Sequence, residues 1–306
     1  MELTPARDDL HRWVKYFVNL LKTNTARAYE KDLTDFLIAV SEFNIKTVLS
    51  YFQTLVTKGY SKTTIDRKRA SLSKFLDFLV ENGVIPTNPL KTKTFGMFYK
   101  KIVQEVENQR KDTKKPEPRY LKWEEVERML SSCPNTIAGK RDRLIILLGV
   151  YEGLRRSEIV NLTWDDLRED GLGTVLVIRG AKGGTDTVVV HERVLRELNE
   201  FRKMLSESGI ETSYIVPSLR RNKGGKMSTV ELNRRVKLIA KRSGIEDWGK
   251  ITAHDLRHTC AVQMLLHGAH VNKVAEHLRH KNIQTTMRYL RTLEKHIQAG
   301  VKCLPG

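Results

Sequence analysis

The chain has 306 residues and carries 54 lysines and arginines against 36 aspartates and glutamates, a formal charge of +18. With 40% hydrophobic and 29% charged residues it can bury sizeable cores, which excludes disordered, collagen-like and disulfide-scaffold classes. Its longest apolar runs, such as Leu144–Val150, fall far short of the roughly 20 residues that span a bilayer. So large a cationic surplus points to a polyanionic partner, nucleic acid first.

The first ninety or so residues read as four short helices. Leu10, Trp13, Val14, Phe17, Val18 and Leu21 recur at three and four and make one apolar stripe. Tyr29, Leu33, Phe36, Leu37 and Val40 repeat it, as do Ile45, Val48, Leu49, Phe52 and Leu55, and then Leu72, Phe75, Leu76 and Leu79. Asn24 or Thr25, Asn44 and Ser61 stand where N-caps belong, and Asn82-Gly83 before Pro86 is a helix stop. The polar faces carry Lys22, Thr25 and Arg27 at one helix start and Lys62, Thr64, Arg67 and Arg69 at another. These residue types at helix N-termini suit phosphate contacts. Over 91–118 lysine and arginine outnumber the acids, and Pro116 and Pro118 break any helix. That stretch reads as a basic linker, partly helical around Ile102–Val106.

From Arg119 onward, Trp123–Leu130 and Arg141–Tyr151 read as helices. Thr174–Arg179 and Thr185–Val190 read as strands joined by a glycine-rich turn, Gly180–Gly184, which makes a β-hairpin. Helical patterns follow at 191–204, 229–243, 255–267, 271–278 and 283–299. The expected fold is mainly α in two domains, the first a four-helix bundle and the second α+β with a small antiparallel sheet.

Cys133, Cys260 and Cys303 are far apart and form no C-x-x-C pair, which fits a reducing cytoplasm and no zinc site. The N-terminus has no apolar signal region, so a cytoplasmic protein is expected. His254 and His258 are four apart without the glutamate of a metalloprotease helix. Neither a phosphate-binding loop nor a dinucleotide fingerprint occurs, so no metal and no cofactor is expected. What stands out instead is a set of cations. Arg155 follows Gly153-Leu154, and Lys182 sits on the hairpin turn. His254 and Arg257 share a helical face, and His280 and Tyr289 come later.

The runs Gly153-Leu154-Arg155-Arg156-Ser157-Glu158, Gly180-Ala181-Lys182-Gly183, His254-Asp255-Leu256-Arg257-His258, Leu278-Arg279-His280 and Thr285-Thr286-Met287-Arg288-Tyr289 follow one another along the chain. In that order and spacing the sequence resembles the tyrosine site-specific recombinases of the phage-integrase family, in their Xer-like two-domain form. The resemblance implies a core-binding domain over 1–90, a linker over 91–118 and a catalytic domain over 119–306. It implies a site-specific recombinase working through a 3′-phosphotyrosyl intermediate and a Holliday junction. Tyr289 would be the nucleophile, Arg155 and Arg257 the phosphate clamp, and Lys182 the general acid; His254 would hydrogen-bond the phosphate or take the proton from the nucleophile, and His280 would supply another donor. Glu158 would orient its neighbours.

The implied partners are double-stranded DNA with inverted half-sites and a homotetramer on synapsed DNA, monomeric or dimeric when free. The resemblance also leaves room for a partner recombinase or accessory protein. The segment after Tyr289 would pack into a neighbouring protomer, and no arm-site domain is expected ahead of the bundle. A type IB topoisomerase-like relaxing enzyme and a catalytically silent DNA-binding module are the alternatives. One departure stands out: the family's glycine before the second histidine is Arg279 here, and its side chain is expected to turn outward to DNA.

Overall fold

In the computed structural model, residues 7–21, 23–40, 44–109, 119–171, 173–180, 184–220, 224–290 and 293 are described. The chain forms two compact units, Met1–Lys115 and Pro116–Gly306. No helix among the described residues is long and apolar enough to cross a membrane.

In the first unit the four expected helices are α1 (Arg7–Asn19), α2 (Thr23–Ala39), α3 (Ile45–Thr57) and α4 (Lys62–Glu81). Asn44 caps α3 through the Thr47 N–H, and Ser61 caps α4 through the Thr64 N–H. Helix α2 starts before Asn24 and Thr25, which therefore lie inside its first turn. Each stripe buries as its spacing requires. Leu10, Val14, Phe17, Leu33, Phe36, Phe52, Phe75 and Leu79 meet in one core.

The structure departs from the linker reading over the next residues. Lys93–Gln109 form a fifth helix, α5, whose Phe95, Tyr99, Ile102 and Val106 belong to the same core. Phe52 packs edge-on against Tyr99 with ring centroids 5.3 Å apart, and Tyr99 donates a hydrogen bond to Asp66 at 2.9 Å. The lysines of α5 lie on its outer face, so a basic composition concealed an amphipathic helix. Residues 110–118 of the expected linker lie outside the described residues.

The second unit is built around α7 (Ile137–Val150), whose second half, Leu144–Val150, is apolar and buried on every side. Helices α6 (Trp123–Ser131), α9 (Glu192–Glu207), α10 (Thr229–Arg242) and α11 (Ala253–Leu266) pack about it. The short α8 (Arg156–Ile159) and α12 (Val271–His277) stand at the site. The hairpin forms as expected from β2 (Gly173–Arg179) and β3 (Thr185–Val189), with Arg179 opposite Thr185. A polar strand, β1 (Leu167–Asp170), adds to the β2 edge in the antiparallel order β1-β2-β3.

A buried carboxylate ties α7 to α10. Asp142 is 0% exposed and accepts from Arg141 and from Arg235. Removing it would take the shared counter-charge from three guanidinium groups, those of Arg141, Arg235 and Arg242, the first of them almost wholly enclosed. Asp142→Ala is therefore expected to cost about 3–5 kcal/mol of stability, read as a drop in denaturant midpoint. A loss under about 1 kcal/mol would mean that water reaches the pair.

Candidate active site

Three chain segments converge in the second unit, and the local sequence explains how each is held. Helix α11 begins with Thr252, whose hydroxyl accepts from the His254 N–H. Asp255 accepts in turn from the Thr252 backbone N–H at 2.7 Å. This cap fixes the first turn of α11 and places His254 at the surface and Arg257 inside. Arg257 is 2% exposed, and its fork donates to the carbonyls of Gly153 and Leu278. Gly153 has φ +57, and a Cβ there would lie 2.3 Å from the Leu278 side chain, so only glycine brings this carbonyl to Arg257.

Arg155 caps α8. Its own N–H and guanidinium both donate to Glu158, at 2.8 and 2.6 Å, and its second guanidinium nitrogen donates to the Arg279 carbonyl at 3.0 Å. Burial pushes the Glu158 carboxyl up. The Arg155 N–H and the charges of Arg279 and Arg155 outweigh burial and hold it below the usual carboxylate range.

Arg279 does not turn outward. Its side chain is 6% exposed, donates to Glu158 at 2.9 Å and to the His277 carbonyl at 2.9 Å, and so lies inside the site. Its φ is +53, the left-handed region that a family glycine enters freely and that costs another residue roughly 1–2 kcal/mol. The expectation of an outward side chain is corrected: Glu158 offers a buried anion that a guanidinium can satisfy.

Tyr289 lies in the helical stretch 284–290 and is 3% exposed, packed with Cys260, Val274, Leu278 and Leu293. The His258 ring stands between it and His254, with centroids 5.0 Å from Tyr289 and 4.1 Å from His254. The His280 ring stacks on Tyr289 at 6.2 Å, and its Nδ1 is hydrogen-bonded to the buried Thr286 hydroxyl at 2.7 Å. Burial raises the Tyr289 phenol above its ordinary value, against the pull of Arg257.

Burial, then Arg257 and Arg155, push His280 down to about 4. His254 is lowered by partial desolvation and by Arg257. Both imidazoles are therefore neutral at pH 7 in the free protein. The expected result in a proton NMR titration is that the His280 ring resonances stay still from pH 8 down to about 5. A midpoint near 6.5 would show that neither burial nor the arginines act on it. The sign for stability follows: the unfolded chain takes up a proton near pH 6.5 that native His280 refuses until about 4. Its contribution to stability therefore falls as pH falls through that window.

The structure thus brings together Arg155, His254, Arg257, His280 and Tyr289. Lys182 lies outside the described residues; Gly180 and Gly184, on either side of 181–183, are joined by a 2.6 Å backbone hydrogen bond. The four-residue spacing of His254 and His258 is weighed in the sequence only against a metal site; the structure gives the His258 ring a place beside Tyr289. Among the described residues, no group of three or more His, Cys, Asp or Glu side chains is placed to hold a metal.

The basic helix starts of the first unit are more engaged than their sequence suggests. Thr25 and Arg27 are exposed. Lys62 pairs with Glu107 and Arg67 with Asp32, and the Thr64 hydroxyl is hydrogen-bonded to Ser61 within the cap of α4. Arg69 lies over the Tyr99 ring at 4.6 Å. Lys22 is outside the described residues.

The phage integrase family pattern matches residues 119–296, and the phage integrase N-terminal SAM-like domain matches residues 9–83. The chain belongs to the phage integrase family of tyrosine recombinases. The tyrosine recombinase XerA of Pyrococcus furiosus is 30% identical over 283 residues, which span 91% of this chain and 87% of that one. XerA of Thermococcus kodakarensis is 38% identical over 182 residues, 59% of this chain and 61% of that one. Two solved structures share the fold. A lambda integrase tetramer bound to a Holliday junction has a TM-score of 0.62 and 17% identity, covering 92% of this chain and 76% of that one. The XerH recombinase in a post-cleavage complex has a TM-score of 0.58 and 15% identity, covering 99% and 98%.

Proposed function

We propose that this recombinase cleaves and rejoins DNA strands at a specific site through a 3′-phosphotyrosyl intermediate and a Holliday junction. The observation that carries the reading is the convergence of two arginines, two flanking histidines and one tyrosine from three distant segments of one unit. Attack on a phosphodiester builds negative charge on its non-bridging oxygens. Arg155 and Arg257 present planar, fixed donors for that charge, already oriented by Glu158 and by the carbonyls of Gly153, Leu278 and Arg279. With Nδ1 of His280 engaged by Thr286, the other ring nitrogen serves the phosphate. Tyr289 attacks phosphorus and its phenolic proton leaves as the bond forms, received on the His254 side. The released 5′-oxygen takes its proton from Lys182 on the hairpin tip.

The substrate is double-stranded DNA with inverted half-sites, on which the protein assembles as a tetramer. The lambda integrase tetramer and the post-cleavage XerH complex support both by analogy. Thr25, Arg27, Lys62 and Arg67 contact phosphates from the first unit, the last two by exchanging their carboxylate partners for the backbone. Arg69 keeps its place on Tyr99.

The test is a duplex selected on the full chain from a randomised pool and then nicked so that cleavage cannot reverse. A denaturing gel should show a covalent protein–DNA adduct formed in EDTA buffer. A bound but uncleaved duplex would instead support the silent DNA-binding module.

A further inference from the structure

We infer that Arg279 is a positioning residue for this reaction: it locks Glu158 and the turn at 278–279 that aims both phosphate-binding arginines. The inference rests on the reading of Arg155 and Arg257 given above.

Two consecutive carbonyls do the aiming. The Leu278 carbonyl receives Arg257, and the Arg279 carbonyl receives Arg155 at 3.0 Å. The direction of those carbonyls depends on the left-handed φ of +53 at Arg279. In a family whose usual residue here is glycine, that conformation is easy to enter and just as easy to leave. Here the side chain closes the turn on itself. One guanidinium nitrogen donates back to the His277 carbonyl at 2.9 Å, bracketing the turn. Another donates to Glu158 at 2.9 Å.

Glu158 in turn holds the Arg155 backbone and guanidinium. Arg155, Glu158, Arg279 and the two carbonyls thus form a closed ring of donors and acceptors around Arg257. A misaimed guanidinium would lose contact with the developing charge, and displacements of about 1 Å cost up to about 100-fold in rate. The third guanidinium also keeps Glu158 ionised between two cations that would otherwise repel.

The Arg279 side chain is almost wholly enclosed, so direct contact with substrate is not its role. Its effect should appear in the rate of the bound complex and in coupling to Glu158. Adduct formation is measured with the full chain at saturating nicked duplex, and affinity separately, for wild type, Arg279→Gly, Arg279→Lys, Glu158→Gln and the Arg279→Gly/Glu158→Gln double variant. Arg279→Gly restores the family residue and relieves the backbone. It should nevertheless cleave about 10- to 100-fold more slowly, with affinity within about threefold of wild type. Arg279→Lys keeps the charge without the fork and should fall between. The double variant should be no slower than the slower single, because both changes open the same ring.

Wild-type rate in Arg279→Gly, a loss confined to affinity, or effects that multiply in the double variant would each overturn the inference. Should Arg279→Gly fail to melt cooperatively, Arg279→Lys decides, and wild-type rate in it would overturn the inference equally. If wild type itself forms no adduct, the reading of the site falls and this inference with it. If wild type forms one and Arg279→Gly matches it, only the role of Arg279 falls.

Discussion

Tyr289→Phe is expected to abolish covalent attachment to a nicked duplex while leaving DNA affinity within about twofold. Phenylalanine keeps the ring that packs on His258, His280 and Leu278, so the surrounding core and the arginine cluster keep their geometry. On the proposed mechanism, what disappears is the oxygen that bonds to phosphorus. The size of the effect is the full rate of the reaction, not a fraction of it. A residual adduct, mapped by peptide to Tyr120, Tyr151 or Tyr214, would reassign the nucleophile.

Arg257→Lys should slow adduct formation at saturating DNA by about 100- to 1,000-fold, the range seen when one preorganised donor to a developing oxyanion is removed. Charge is formally conserved, so a simple counter-ion role would show almost nothing. Two physical effects argue otherwise. An ammonium cannot serve the Gly153 and Leu278 carbonyls in the plane that a guanidinium fork occupies. Burial and the nearby Arg155 already pull Arg257 down to about 10. The same surroundings would act on a lysine that starts lower and has less charge to spare. Melting curves separate this loss from simple unfolding. A variant that folds and cleaves within about fivefold of wild type would remove Arg257 from the clamp.

The legible and illegible parts of this chain divide along a physical line. Helical stripes such as Leu10–Phe17 and caps such as Asn44 and Ser61 are local, and periodicity exposed them. Arg155, Arg257, His280 and Tyr289, which the fold brings together, stood out as cations and a tyrosine whose order along the chain could be recognised. Long-range partnership left no such trace. The inward path of Arg279 depends on a carboxylate 121 residues earlier in the chain and on a backbone twist at its own position. Strand β1, Leu167–Asp170, was passed over because an edge strand with one half-buried residue shows no alternation to read.

The helix that sequence composition disguised as a tether has a practical consequence for anyone who cuts this chain apart. The N-terminal SAM-like match stops at 83, and the proline-bearing basic stretch invites a boundary near 90. A fragment ended there would leave behind Phe95, Tyr99, Ile102 and Val106 and open the flank of Phe52 to water. That raw apolar strip would drive self-association, and the mistake would read as an insoluble domain. A fragment carried through Gln109 keeps its own wall, and trypsin applied to the intact protein should cut slowly at Lys93, Lys100 and Lys101 of α5.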